Sequence, residues 1–189
     1  VSVECLGPAP VTIKAQKVVC DSEEYLPNWG NHGAVIGETT AQDYVDAHSD
    51  HCRLESQWQF QWAGSGAGSN GDFQKNTELL GGPWNTFTAA DTVEIDDLSS
   101  LNGRIELREV FSYGPMVGFS NDPGSVGSSV SAEFYCTGDV YNYDNWEWIN
   151  NPQPNTDYYC VAFNAYQRSD VTVCKLDEKI IICLTGKLF

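Results

Sequence analysis

The chain has 189 residues, with 10 Lys and Arg against 26 Asp and Glu for a formal net charge of -16; 41% of residues are hydrophobic and 12% aromatic. That charge repels phosphate backbones and anionic lipid surfaces, which argues against nucleic acid as a partner, and the apolar content argues against a disordered tail. The length suits one generous domain with insertions and tails.

The first five residues, "VSVEC", are a β-like strip cut off by the two prolines of "LGPAP". Residues 1–10 therefore read as a detachable arm, which can fold back as an edge strand or serve as a donor strand for a neighbouring sheet. Val11–Cys20 alternates as a strand, with Val11, Ile13 and Ala15 on one side, and the same period carries Lys17 onto that apolar side ahead of Val19. Thr39–Asp50 alone has helical spacing, placing Ala41, Tyr44, Val45 and His48 on one stripe after a Thr cap. Strand-like runs then recur at Gln57–Trp62, Thr92–Ile95, Gly103–Phe111, Ser129–Cys136, Tyr158–Tyr166, Val171–Cys174 and Lys179–Leu184. Most are bounded by Gly, Pro, Asn or Asp clusters, and the Gly/Ser-rich stretches 63–72 and 121–129 read as connecting loops. The pattern is all-β, with a short helix in an insertion and long loops. Residues 169–189 read as a C-terminal β-hairpin or assembly strand.

Cysteines stand at Cys5, Cys20, Cys52, Cys136, Cys160, Cys174 and Cys183, without zinc-ribbon or CxxC spacing. They read as disulfides and place the chain in an oxidising, extracellular compartment; a first residue of Val agrees with a signal peptide already removed. Three bridges leave one thiol over, for which Cys5 is the candidate. The longest purely aliphatic run is the three isoleucines 180–182, so no membrane span is expected.

Residues 138–157 gather Asp139, Asn142, Asp144, Asn145 and Asp157, and "DTVEIDD" supplies Asp91, Asp96 and Asp97. Oxygen donors at alternate loop positions suit Ca²⁺, the one cofactor these residues suggest, although Asx side chains that cap their own turns use the same residue types. His48, His51 and Cys52 lie close together but lack a second ligand pair for zinc. No GxSxG, HExxH or kinase set is present, and the chain is not expected to be an enzyme. Trp146 and Trp148 could stack on a surface glycan, as could Trp58, Trp62 and Trp84, but Trp58 and Trp62 alternate as core residues do.

Gly103–Phe111 puts Ile105, Leu107, Glu109 and Phe111 on one face. Burying a lone lysine or glutamate is costly, so one of each at core-facing positions suggests that Lys17 and Glu109 neutralise each other or react. An ordinary ion pair, or Lys17 snorkelling out at a strand edge, is the plainer arrangement.

Four strips of the sequence resemble the SpaA-like and Cna-B-like bacterial surface and pilus domains: "VTIKAQKVV", "WQFQW", "TVEIDDLSSLNGRIELREVF" and "YYCVAFNAY". The resemblance implies an Ig-like or prealbumin-like β-sandwich over residues 11–168, interrupted by insertions. It further implies an intramolecular isopeptide bond between Lys17 and Asn164, with Glu109 transferring protons. The function expected on this basis is an extracellular structural protein, the subunit of a cell-surface fibre or pilus. Such a homopolymer would assemble by strand addition and be stabilised by disulfides and Ca²⁺. A secreted adhesin or carbohydrate-binding module is the alternative.

Overall fold

A computed structural model describes residues 9–29, 35–65, 84–110, 132–138, 146–165, 170–177 and 180–187; Ala132, Trp146 and everything from 170 onward are placed by backbone alone. Among the described residues the strands are β1 (Val11–Cys20), β2 (Cys52–Leu54), β3 (Gln59–Gly64), β4 (Asn85–Thr88), β5 (Val93–Ile95) and β6 (Arg104–Glu109). They continue with β7 (Ala132–Cys136), β8 (Trp146–Asn150), β9 (Thr156–Ala165), β10 (Asp170–Asp177) and β11 (Ile180–Lys187), and one helix, α1 (Thr40–Ala47), precedes β2. No described helix is long and apolar enough to cross a membrane.

The first sheet has the order β2-β1-β9-β7, with β5 pairing β1 beside β2; the second has the order β4-β3-β6-β8. β1 and β9 run parallel along their full lengths, from Val11 opposite Thr156 to Cys20 opposite Ala165. On its other side β1 is shared, with β5 covering Val11 to Ile13 and β2 covering Val18 to Cys20. The two sheets face each other across one core: Ile13, Ala15, Phe134 and Ala162 from the first meet Phe60, Ile105, Leu107 and Ile149 from the second. This is an all-β sandwich with one short helix, as the alternation predicts.

A second apolar cluster lies on the outer side of the first sheet. Val18, Cys20, Val161 and Phe163 point away from the sandwich and are covered by Leu26, Trp29, Ile36, Ala41 and Tyr44 from the segment between β1 and β2. That segment is tied down at both ends of its loop by the Cys20–Cys52 disulfide. Inside it, the buried Glu133 carboxylate accepts the Asn28 N–H on both oxygens (2.9 and 3.1 Å) and the Tyr135 hydroxyl at 2.8 Å. Burial pushes the Glu133 carboxyl above its ordinary range, against the pull of those donors. A second disulfide, Cys136–Cys160, joins β7 to β9, and both bridges suit an oxidising compartment.

Three strands are not evident from the sequence pattern. β2 is three residues long and sits at the edge of β1, β4 buries only Phe87, and β8 carries Glu147 at the same inward parity as Ile149. The turn into β6 is plainer, because Asn102 and Gly103 both have positive φ (51° and 78°), a backbone that Asn and Gly tolerate best. The hairpin of β10 and β11 forms its own two-stranded sheet.

Candidate functional site

Lys17, Glu109 and Asn164 converge in the interior of the sandwich, on three different strands. The alternation of β1 aims Val11, Ile13, Ala15 and Val19 into the core, and Lys17 shares that parity. On β9, Tyr158, Cys160 and Ala162 face the same core, and Asn164 follows them. Lys17 lies opposite Ala162 in the parallel pairing, so Asn164 is its diagonal neighbour, two residues on and within reach of a long side chain. Glu109 descends from the facing sheet, opposite Phe60 on β3.

The three side chains meet in the buried core. Residue exposure is 1% for Lys17 and 0% for both Glu109 and Asn164, so Lys17 does not snorkel to an edge. Its Nζ donates to Glu109 Oε2 at 2.5 Å and to Asn164 Oδ1. Asn164 Nδ2 has no hydrogen-bond partner among the described residues.

Burial lowers the Lys17 ammonium from 10.5 to about 8, although the adjacent Glu109 charge and hydrogen bond act in the opposite sense. Burial likewise raises the Glu109 carboxyl from 4.5 to about 6, opposed by the charge and hydrogen bond of Lys17. Both shifts favour uncharged forms, and the 2.5 Å contact is a path for moving one proton from the amine to the acid. An amine freed in this way sits beside the side-chain amide of Asn164, hydrogen-bonded to its oxygen, and the adjoining carbonyl carbon is the electrophile that a nucleophilic acyl substitution would use.

Trp58 completes the site. It is fully buried, its ring lies 4.3 Å from Lys17 Nζ, and its indole is near enough to the Glu109 carboxyl to favour the charged form slightly. Sequence alternation marks Trp58 as core but gives no sign that it touches both charged partners. That contact depends on β3 and β6 being neighbours, a non-local pairing.

The remaining candidates are placed differently. Asp91 accepts from the Thr88 N–H (2.7 Å) and hydroxyl (2.9 Å), which hold its carboxyl below the usual carboxylate range. Asp97 caps a single 3₁₀ turn by accepting from the Ser99 N–H at 3.0 Å, while Asp96 is exposed. Asp157 accepts from the Thr12 hydroxyl across the β1–β9 pairing. No group of three or more His, Cys, Asp or Glu side chains that could hold a metal occurs among the described residues. Asp139, Asn142, Asp144 and Asn145 lie outside them, as does Cys5.

His48 stacks on Tyr44 and His51 on Tyr25, with Cys52 spent in its disulfide, so these three form a packed corner. The Trp84 ring lies 3.8 Å from the Arg108 guanidinium and the Trp148 ring 4.8 Å from that of Arg104. Trp62 is half-buried against the core. Comparison with family models, with curated proteins and with solved structures yields no match, so the geometry of the site itself carries the functional reading.

Proposed function

We propose that the chain is a structural module of an extracellular surface fibre, with a sandwich closed by an isopeptide bond between Lys17 and Asn164. The observation that carries this reading is the fully buried Lys17 ammonium shared between a glutamate and an asparagine side chain. Left unreacted, the pair holds two charges out of water; converted to an amide, it holds none.

The reaction needs no group beyond these residues. Lys17 passes one proton to Glu109, and the neutral amine attacks Cγ of Asn164. The protonated Glu109 hydrogen-bonds the oxygen on which charge develops. As the Cγ–Nδ2 bond breaks, the second amine proton reaches the departing nitrogen by way of Glu109, and ammonia leaves. One proton remains on Glu109, and the new amide keeps one on nitrogen.

Intact mass of the reduced, denatured chain tests this directly. The expected value is about 17 Da below that of the sequence, the mass of one ammonia, with the deficit absent in Lys17→Met and Asn164→Ala. A wild-type mass equal to the sequence mass, after incubation near neutral pH, removes the proposal.

Kinship with the SpaA-like and Cna-B-like domains is supported by the parallel β1–β9 pairing that brings the Lys and Asn strands together, with the acid on the opposite sheet. Assembly by strand addition is supported by β7, which has no strand on its outer side among the described residues. Negative-stain microscopy of concentrated protein should show polymers that disappear when residues 1–7 are deleted. Monodisperse particles under all conditions would leave a crosslinked monomeric module and remove the fibre.

A further inference from the structure

Each disulfide of the sandwich joins cysteines that lie directly opposite each other in an antiparallel pair. Cys20 is the register partner of Cys52 between β1 and β2, and Cys136 is the partner of Cys160 between β7 and β9. Both pairs have a Cα–Cα distance of 4.1 Å. That separation belongs to the narrow, non-hydrogen-bonded sites of an antiparallel ladder, which alternate with wider hydrogen-bonded ones.

The same juxtaposition recurs once more. In the β10–β11 hairpin Cys174 is the register partner of Cys183. The hairpin closes at Asp177 opposite Ile180, with two residues between them. The closing pair of a two-residue hairpin exchanges hydrogen bonds, and the alternation then makes Leu176–Ile181 narrow, Lys175–Ile182 wide and Cys174–Cys183 narrow. The third cysteine pair thus occupies the kind of ladder position that the first two occupy.

The hairpin also has a physical need for a brace. It pairs with no other described strand, and a lone two-stranded hairpin is marginal in water. A bond three positions in from the turn removes the open-chain states that compete with it.

We infer that Cys174 and Cys183 form a third cross-strand disulfide, so that six of the seven cysteines are paired strand to strand and Cys5 is the one left over. In forming the bond the two thiols give up two protons and two electrons to a small-molecule disulfide such as oxidised glutathione, which departs as two thiols.

The test uses the full chain carrying Cys5→Ser, folded in a glutathione redox buffer, then denatured and alkylated with iodoacetamide. The expected result is no alkylated cysteine before reduction, six after it, and a tryptic map in which residues 169–175 are joined to 180–187. Alkylation of Cys174 and Cys183 without prior reduction would overturn the inference. So would a map that joins either of them to Cys20, Cys52, Cys136 or Cys160. The same map on the unsubstituted chain, where a link from either to Cys5 is the contrary outcome, keeps the result free of any effect of the substitution.

Discussion

Lys17→Met should lower the melting temperature by about 10–20 °C relative to the wild-type chain. The crosslink would close a span of 147 residues between Lys17 and Asn164. The two disulfides already shorten that loop in the unfolded chain, and chain-entropy bookkeeping then assigns the crosslink about 4–5 kcal/mol. Methionine keeps most of the lysine stem, so little of the loss comes from a cavity. Asn164→Ala separates the two contributions: it keeps the Lys17–Glu109 ion pair and removes only the acceptor of the bond, and it should melt near Lys17→Met if the bond is what matters. Differential scanning calorimetry supplies the comparison, with intact mass on the same samples. Melting of both variants within a few degrees of wild type would show that the sandwich owes its stability to packing alone.

The second large effect is on rate. Glu109→Gln should slow amide formation by about 10²–10⁴-fold, the usual contribution of a positioned acid and base. Wild-type chain refolded from denaturant, with ammonia release followed in time, should give a bell-shaped dependence on pH. The competent pair holds one proton between Lys17 and Glu109. Below about 6 the carboxylate takes up a second proton and the amine stays charged; above about 8 the amine has lost its proton and Glu109 has none to give.

The same shifts bear on folding before the bond forms. Lys17 is depressed in the folded chain, so the unfolded chain binds more protons between about 8 and 10.5, and stability rises with pH there. Glu109 is raised, so the folded chain binds more protons between 4.5 and about 6, and stability falls with rising pH across that interval. An unreactive Asn164→Ala chain should accordingly be least stable between about 6 and 8. A rate that stays flat from well below 6 to well above 8, with Glu109→Gln as fast as wild type, would assign the proton transfers elsewhere.

Much of this site is written in a period of two. Lys17 and Glu109 each fall on the apolar side of an alternating strand, and the cost of burying either alone makes them stand out. Asn164 is harder to place, because Val161 and Phe163 on the opposite parity of β9 are as apolar as Cys160 and Ala162. The reason is the segment between β1 and β2, which buries the outer face of β9 and removes the polar side that alternation depends on. β8 is obscured in a related way by Glu147 on its inward face. For Asp91 and Asp97, residue type alone does not distinguish a cation ligand from a turn cap; the partners at Thr88 and Ser99 show that both are caps.

The parallel run of β1 against β9 has a mechanical corollary. Tension applied between the start of β1 and the end of β9 pulls at opposite ends of the pair and so loads its hydrogen bonds together in shear, instead of unzipping them one at a time. Were Lys17 joined to Asn164 by the proposed amide, the pull would pass from one strand to the other through that single bond. The 147-residue separation between them, a contour of roughly 500 Å when drawn out, would then be shielded from stretching. A tether built of such units would transmit strain without lengthening.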